Sequence, residues 1–200
     1  MQKITLILFV ALSILSLNAQ NDSKSESCKF TPKFGFQTDL TYNFIQLKAT
    51  EMTNFHFAVM PGLHFCDYMF AGIGAEYAYY NSFNLFPVFA HGTINFTNGK
   101  IIPFIQGKIG YAFGGKTGPI DYNLLNNNGT YATPLLLSKV NGSFYFAPSF
   151  GVKFKTSGNA KIILAVVGDL MMFKIAKVSD PETFEKLKNV TMGIKVGLEL

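Results

Sequence analysis

The sequence predicts an all-β fold, namely an eight-stranded antiparallel up-and-down transmembrane β-barrel. Three observations lead to this prediction. Apolar and polar residues alternate along most of the chain, as they do in strands with one apolar and one polar face. Charged residues make up only 14% of the chain and hydrophobic residues 48%, a low charge content for a water-soluble surface. The chain also begins with the three parts of a secretory signal.

The signal combines a positive charge at Lys3, an apolar run over residues 4–17 and a cleavage site at residues 18–20. The apolar run is too short to cross a bilayer as a helix, so we expect it to be removed after export. The chain then divides into three predicted parts: a signal peptide at 1–19, a polar periplasmic leader at 20–33 and an outer-membrane β-barrel domain at 34–200.

The alternation is clearest at the two ends of the predicted barrel. In the last strand Ile194 and Val196 share one face, while Lys195 and Gly197 share the other. Prolines inside or near several strands blur the boundaries, because proline cannot donate to a hydrogen-bonded ladder. The eight predicted strands lie close to residues 34–44, 55–65, 71–79, 85–96, 105–113, 144–154, 160–173 and 190–200.

The polar faces favour a membrane barrel over a soluble, lipocalin-like one, which is the structural alternative. They are rich in Gly, Ala, Ser and Thr, which fit a narrow lumen, and mid-strand charges of both signs fall on them and not on the apolar faces. A lysine facing lipid at the bilayer midplane costs roughly 2–4 kcal/mol. Lys161 falls on the same polar face as Asp169. We predict a polar network in the lumen that comprises Asp39, Glu76, Lys108, Lys153, Asp169, Lys195 and Glu199.

The connections between strands predict the orientation. With the mature N-terminus in the periplasm, three short connections become periplasmic turns, at residues 66–68, 97–100 and 156–159. The other four become extracellular loops, because such barrels have short inner turns and longer outer loops. These loops are 48–54, 80–84, 114–142 and 174–189.

The two longest loops are predicted to lie outside the cell. One contains the polar stretch around Asn127. In the other, Asp180 followed by Pro181 and Glu182 has the pattern of a helix N-cap with proline at the first helical position. We therefore expect a short surface helix there.

Three segments carry a family resemblance: the end of the signal at residues 18–20, residues 103–114, which run from Pro103 to Gly114, and residues 150–154. They resemble the small, porin-like outer-membrane β-barrel proteins common in Bacteroidetes. The resemblance implies a Gram-negative outer membrane as the location. Leu200 departs from the aromatic residue with which such barrels often end. The partners expected there are outer-membrane lipid and lipopolysaccharide, the barrel-assembly machinery, and an extracellular ligand or partner protein.

The sequence predicts no enzyme, cofactor or metal site. Ser149 is the one mid-strand lumen serine, and nothing places it beside His56, His64 or His91, as a nucleophile and base would require. The three histidines also lack the spacing of a metal site. Nucleic-acid binding is excluded, because the net charge of +5 comes from scattered lysines and the chain contains no arginine.

Eight strands leave an interior just wide enough for side chains to fill, which disfavours a general pore. Two function classes remain. The first is a structural or surface-interaction role carried by the long extracellular loops. The alternative is a narrow channel or transport accessory, ahead of a lipid-modifying barrel enzyme.

The two cysteines of the chain form a candidate disulfide. Cys28 belongs to the predicted leader and Cys66 to the first predicted turn, so both fall on the periplasmic rim. Paired thiols become disulfides in an oxidising compartment. Two free thiols are the alternative, because a bridge requires Cα atoms within about 7 Å.

Overall fold

The computed structural model describes residues 30–46, 54–80, 83–114, 137–142, 144–177 and 180–200. The predicted signal peptide and most of the predicted leader lie outside these residues. The strands within them are β1 (Lys33–Gln46), β2 (Asn54–Cys66), β3 (Met69–Tyr80), β4 (Phe83–Asn95), β5 (Ile101–Gly114), β6 (Leu137–Asn141), β7 (Phe144–Lys155), β8 (Lys161–Lys177) and β9 (Asp180–Glu199).

Eight of these strands form a closed barrel, which confirms the predicted fold class. Each of β1 to β5 pairs antiparallel with the next, β5 pairs with β7, β7 with β8 and β8 with β9. The barrel closes because β9 also pairs with β1, where Thr41 lies opposite Lys195. A closed sheet leaves no unpaired edge along its wall, and it places β5 diametrically opposite β1.

The two ends of the barrel differ. At the end where β1 starts, here called the turn end, short connections join β2 to β3, β4 to β5 and β7 to β8. Side chains close these turns: Asn95 donates to the carbonyl of Asp67 at 3.0 Å, and Thr156 donates to the carbonyl of Ala160 at 2.8 Å. The opposite end, here called the loop end, carries the longer connection between β5 and β7.

The prediction of a surface helix at Asp180-Pro181-Glu182 is wrong. These residues begin β9. The β8–β9 ladder continues past the residues of these two strands that pair with β7 and β1, and Phe184 lies opposite Ala176. A single helical turn leaves most of its backbone groups unpaired, whereas extending an existing ladder pairs them. Across the described ranges, no helix is long and apolar enough to span a membrane.

The predicted loops at 114–142 and 174–189 also contain strand that the sequence did not reveal. β6 lies within the first of them and pairs with the end of β8, where Asn141 is opposite Lys174. Together β6, β8 and β9 form a three-stranded extension at the loop end. Hydrogen bonding to β8 explains why β6 is a strand although it has only five residues.

Three prolines inside strands each leave a gap in one of the two ladders that their strand makes. At Pro61 the β2–β3 ladder stops after Val59 and resumes at Gly62, although Pro61 itself is paired with β1. Similar gaps occur at Pro87 on the β3 side and at Pro148 on the β8 side. The missing N–H of proline is thus accommodated by interrupting one of the two ladders that a barrel strand makes.

Glycines on the inner face allow neighbouring backbones to approach closely. A Cβ atom at Gly72 would lie 2.2 Å from the carbonyl oxygen of Pro61, and one at Gly110 would lie 2.1 Å from that of Val88. A Cβ at Gly92, by contrast, would have no heavy atom within 4 Å. The inner glycines therefore contribute to the tight curvature of a small barrel as well as to its narrow interior.

The outward face of the barrel is a continuous apolar belt. Its side chains remain about half exposed, as at Leu40 (45%), Ile105 (47%) and Leu198 (50%). The alternation predicted from the sequence is thus arranged with the apolar face outward and the polar face inward. Soluble monomers rarely expose an apolar surface of this extent.

Candidate functional site: the charged interior of the barrel

The seven residues predicted to form a lumen network all face the interior, and each is at most 5% exposed. They come from six different strands, and the alternation along each strand turns their side chains towards the interior. Buried charges are stabilised only when they are paired and hydrogen-bonded. The structure arranges them at three levels along the barrel axis. The lumen network consists of Asp39, Glu76, Lys108, Lys153, Asp169, Lys195 and Glu199.

Near the turn end, Glu199 joins two lysines. Its Oε2 lies 2.5 Å from the ammonium of Lys153, and its Oε1 lies 2.6 Å from that of Lys161. The ring of Phe104 lies 5.0 Å from the Lys153 ammonium, within range of a cation–π interaction. This level carries one more positive than negative charge, and the aromatic ring offsets part of that excess.

At mid-barrel, Asp39 lies between two lysines from other walls of the barrel. Its Oδ2 is 3.5 Å from the ammonium of Lys195 and 3.5 Å from that of Lys108, and its Oδ1 accepts a hydrogen bond from Gln37 at 2.9 Å. Lys195 also donates to Gln106 and to Ser149, the latter at 2.7 Å. Because β1 and β5 are diametrically opposite, the Asp39–Lys108 contact spans the whole interior.

Towards the loop end, Glu76 is the central acceptor. It is 2.9 Å from the Lys108 ammonium and 2.9 Å from Nδ1 of His56, and both of its oxygens accept from the Tyr145 hydroxyl at 3.1 Å. The same His56 nitrogen lies 3.6 Å from Asp169. The histidine therefore links two carboxylates and extends the network to β8.

Sequence reasoning identified these charged members but missed the other polar side chains that connect them. Gln106 accepts from Lys195 and donates to Thr93 at 3.1 Å, while Tyr145 and His56 bind Glu76. Alternation already placed these residues on the polar faces, so that signal was present. Their partners were not visible, because the hydrogen bonds join residues far apart in the sequence.

Apolar side chains also occupy the interior, which the sequence reading did not anticipate. They share the inward parity of their strands and are at most 3% exposed: Met60, Phe70, Leu85, Phe89 and Phe104. Phe70 packs between two of the histidines, with ring centroids 4.5 Å from His64 and 5.0 Å from His91. The interior is therefore part ionic and part aromatic.

The geometry around Ser149 bears on the question of enzymatic activity. Its hydroxyl contacts Lys195 and Gln106. A lysine acts as a general base only when it is neutral, and Lys195 is also paired with Asp39. Among the described residues, no group of three or more His, Cys, Asp and Glu side chains could hold a metal ion.

Cys66 ends β2 and is 7% exposed. Its predicted partner Cys28 lies outside the described residues, so the disulfide stays a prediction. The adjacent chain does run beside Cys66: the Thr31 amide donates to the carbonyl of Phe65 at 3.1 Å, and the Phe30 and Phe65 rings stack at 6.0 Å.

A closed eight-stranded antiparallel barrel with an apolar exterior and a charged interior defines the class of small membrane-type β-barrels. Several solved structures resemble the chain. Neisserial surface protein A (NspA) aligns with a TM-score of 0.55 at 11% identity, covering 85% of this chain and 98% of that one. The outer membrane enzyme PagL aligns with a TM-score of 0.43 at 11% identity, covering 82% of this chain and 98% of that one.

The resemblance to NspA shows the fold alone at this identity, and the alignment with PagL is too weak to support a conclusion. The sequence matches no protein-family model and no curated protein.

Proposed function

We propose that this chain is an integral outer-membrane β-barrel protein whose interior is closed by side chains and whose activity is surface interaction at the loop end. In this proposal it is neither an open pore nor an enzyme, and it uses no cofactor. The outer-membrane lipid surrounds the belt, and the segments at the loop end face the outside of the cell.

The apolar belt supports the membrane location. In water, the exposed outward side chains would form a large apolar patch, whereas in a bilayer the same surface is solvated by lipid chains. No charge of the lumen network is on this surface, which removes the cost of a charge in lipid.

The single observation that best supports a closed interior is the contact between Asp39 on β1 and Lys108 on β5. The Asp39 Oδ2 and the Lys108 ammonium are 3.5 Å apart, across the full diameter of the barrel. Gln37 and Gln106 bridge the same two walls, with amide-to-oxygen distances of 3.3 and 3.5 Å. A hydrated ion would have to break these contacts in order to pass.

The length of the connection between β5 and β7 supports the surface role, because binding residues concentrate in segments that a rigid scaffold displays. The residue types in it are mostly polar, including Asn126, Asn127 and Asn128. A protein ligand or another cell surface is the proposed partner, and the barrel-assembly machinery is the proposed route of insertion.

Protease shaving of intact cells tests the location and orientation together. Cleavage near Asn127, with the turn at Asn98 and Gly99 spared, is expected. Cleavage only at that turn would reverse the proposed orientation, and full protection or full degradation of folded protein would reject the outer membrane as the location.

Planar-bilayer recording separates the proposed closed barrel from the narrow-channel alternative. The intact protein is expected to give no discrete openings. Steady openings in the unsubstituted protein would favour a channel.

A further inference from the structure

Three buried oxygen atoms face the same part of the lumen, towards the loop end. They are Oδ1 of Asp169, Oδ1 of Asn43 and Oγ1 of Thr191, and each belongs to a side chain that is at most 3% exposed. None of the three has a hydrogen-bond partner within the residues that the structure describes. Burying a polar atom without a partner is costly, so this group of oxygens is suited to a ligand that the described chain does not itself supply.

The register of the strands brings the three side chains together. Asp169 lies directly opposite Thr191 in the β8–β9 ladder, and Asn43 of β1 lies opposite Gly193, two residues further along β9. Side chains that are opposite on one face have Cβ atoms about 5 Å apart. The Asn43 amide nitrogen donates to Oδ2 of Asp169 at 2.6 Å, which orients both side chains and leaves their Oδ1 atoms as acceptors.

Gly193 provides the space for this arrangement. A Cβ atom at that position would lie 2.3 Å from Oδ1 of Asn43, so the amide oxygen occupies the volume that a side chain would fill. Gly193 and Thr191 share the lumen face of β9, because they are two residues apart in one strand. The missing side chain therefore lets a carboxylate, an amide and a hydroxyl oxygen face one another inside the barrel.

The charges in this part of the lumen network do not balance. The mid-barrel and loop-end levels hold three carboxylates and two lysines: Asp39, Glu76, Asp169, Lys108 and Lys195. Both lysines contact Asp39, and Lys108 also contacts Glu76. Within the described ranges, the ion-pair partner of Asp169 is instead Nδ1 of His56, at 3.6 Å. With a neutral histidine, one negative charge is left over, and it falls on Asp169.

We propose that Asp169, Asn43 and Thr191 bind a monovalent cation, namely Na⁺. Carboxylate and amide oxygens are ligands that hard cations prefer, and the hydroxyl oxygen supplies a third donor. Ca²⁺ takes about six to eight oxygens, often from several carboxylates, whereas this site offers one carboxylate with one excess charge. The ion joins β1, β8 and β9 around the seam of the barrel. It is held inside the closed interior, so the inference needs no open pore and does not depend on which end faces the outside.

The test is a urea titration of the full-length protein, folded in lipid vesicles, in NaCl and in choline chloride at equal ionic strength. Choline screens charges equally but is too large to be coordinated by the three oxygens. A ligand that binds only the folded state raises the ratio of folded to unfolded protein in a saturable way. With Na⁺ at ten times its dissociation constant, that ratio is expected to be about tenfold higher than in choline.

Two variants and one control assign the effect to the site. Asp169→Asn keeps the shape of the side chain and is expected to abolish the difference between the two salts. Thr191→Val removes only the hydroxyl oxygen and is expected to raise severalfold the Na⁺ concentration at half-saturation. The matched control is Asp67→Asn, which changes an exposed carboxylate at the turn end and should keep the full response to Na⁺.

Sodium NMR of the folded protein in micelles gives a readout that does not depend on stability. The unsubstituted protein is expected to broaden the Na⁺ resonance, and Asp169→Asn and Thr191→Val to broaden it less. If Asp169→Asn does not fold, Thr191→Val decides, and an unchanged half-saturation would overturn the inference.

Equal stability of the unsubstituted protein in the two salts would also overturn the inference, because a proton on His56 or Asp169 would then neutralise the excess charge. A response to Ca²⁺ in place of Na⁺ would contradict the charge argument in the same way. These outcomes leave the proposed function intact. A protein that enters no bilayer refutes the proposed function instead.

Discussion

The Lys195 ammonium on β9 lies 3.5 Å from Oδ2 of Asp39 on β1, across the seam that joins the first and last strands of the barrel. The two residues are far apart in the sequence, and closure of the sheet brings them together. Lys108 shares the same carboxylate oxygen from the opposite wall. One acidic side chain therefore couples the seam to the far side of the barrel.

Breaking this pair should destabilise the folded protein. Asp39→Asn and Lys195→Met are each expected to lower the free energy of unfolding by about 3–5 kcal/mol, because the remaining charge would be buried without its partner. Urea titration in lipid vesicles, followed by the heat-dependent gel shift, measures this. The exposed Lys155→Met serves as the control, and unchanged midpoints for both lumen variants would show that the network is unimportant.

Glu76 and Tyr145 should differ in their effect on stability. Glu76→Gln removes the negative charge that pairs with Lys108 and His56, so a loss of several kcal/mol is expected. Tyr145→Phe removes one hydroxyl donor and should cost about 1–2 kcal/mol. The two variants are compared in the same urea titration. A loss for Tyr145→Phe as large as that for Glu76→Gln would contradict the central role assigned to the carboxylate.

An added methyl group should impair folding at inner glycines and leave it unchanged at outer ones. Gly72→Ala and Gly110→Ala would push a Cβ atom against the backbone of the neighbouring strand, and both should reduce the folded fraction. Gly92→Ala and Gly107→Ala meet no heavy atom within 4 Å and should fold like the unsubstituted protein. Refolding yield into vesicles is the measurement, and equal yields for the two pairs would rule out the close backbone approach.

A disulfide between Cys28 and Cys66 is expected in exported protein. The hydrogen bond from Thr31 to Phe65 holds the chain beside the end of β2, so only a short segment separates Cys28 from the rim. Such a bond should add about 2–4 kcal/mol to stability. Thiol labelling of purified, unreduced protein decides the matter, since two reactive cysteines per chain would reject the bridge. Cys28→Ser should then expose one thiol.

Much of the barrel could be predicted from the alternation of apolar and polar residues along the sequence. In β9, each residue from Val190 to Leu200 was assigned to the correct face, because a strand turns successive side chains to opposite sides whatever its neighbours are. The same reasoning placed Lys108 and Glu76 inside. It failed for Asp180-Pro181-Glu182, where a local capping pattern competed with a ladder that only the neighbouring strand could provide.

The sequence by itself determined which side chains face inward and that charges of both signs would be enclosed together, because alternation is a local property of the backbone. The tertiary structure decided which of them touch. Asp39 meets Lys108 and Lys195, and Glu76 meets His56 and Tyr145, only because closure and register set the distance between residues on separate strands.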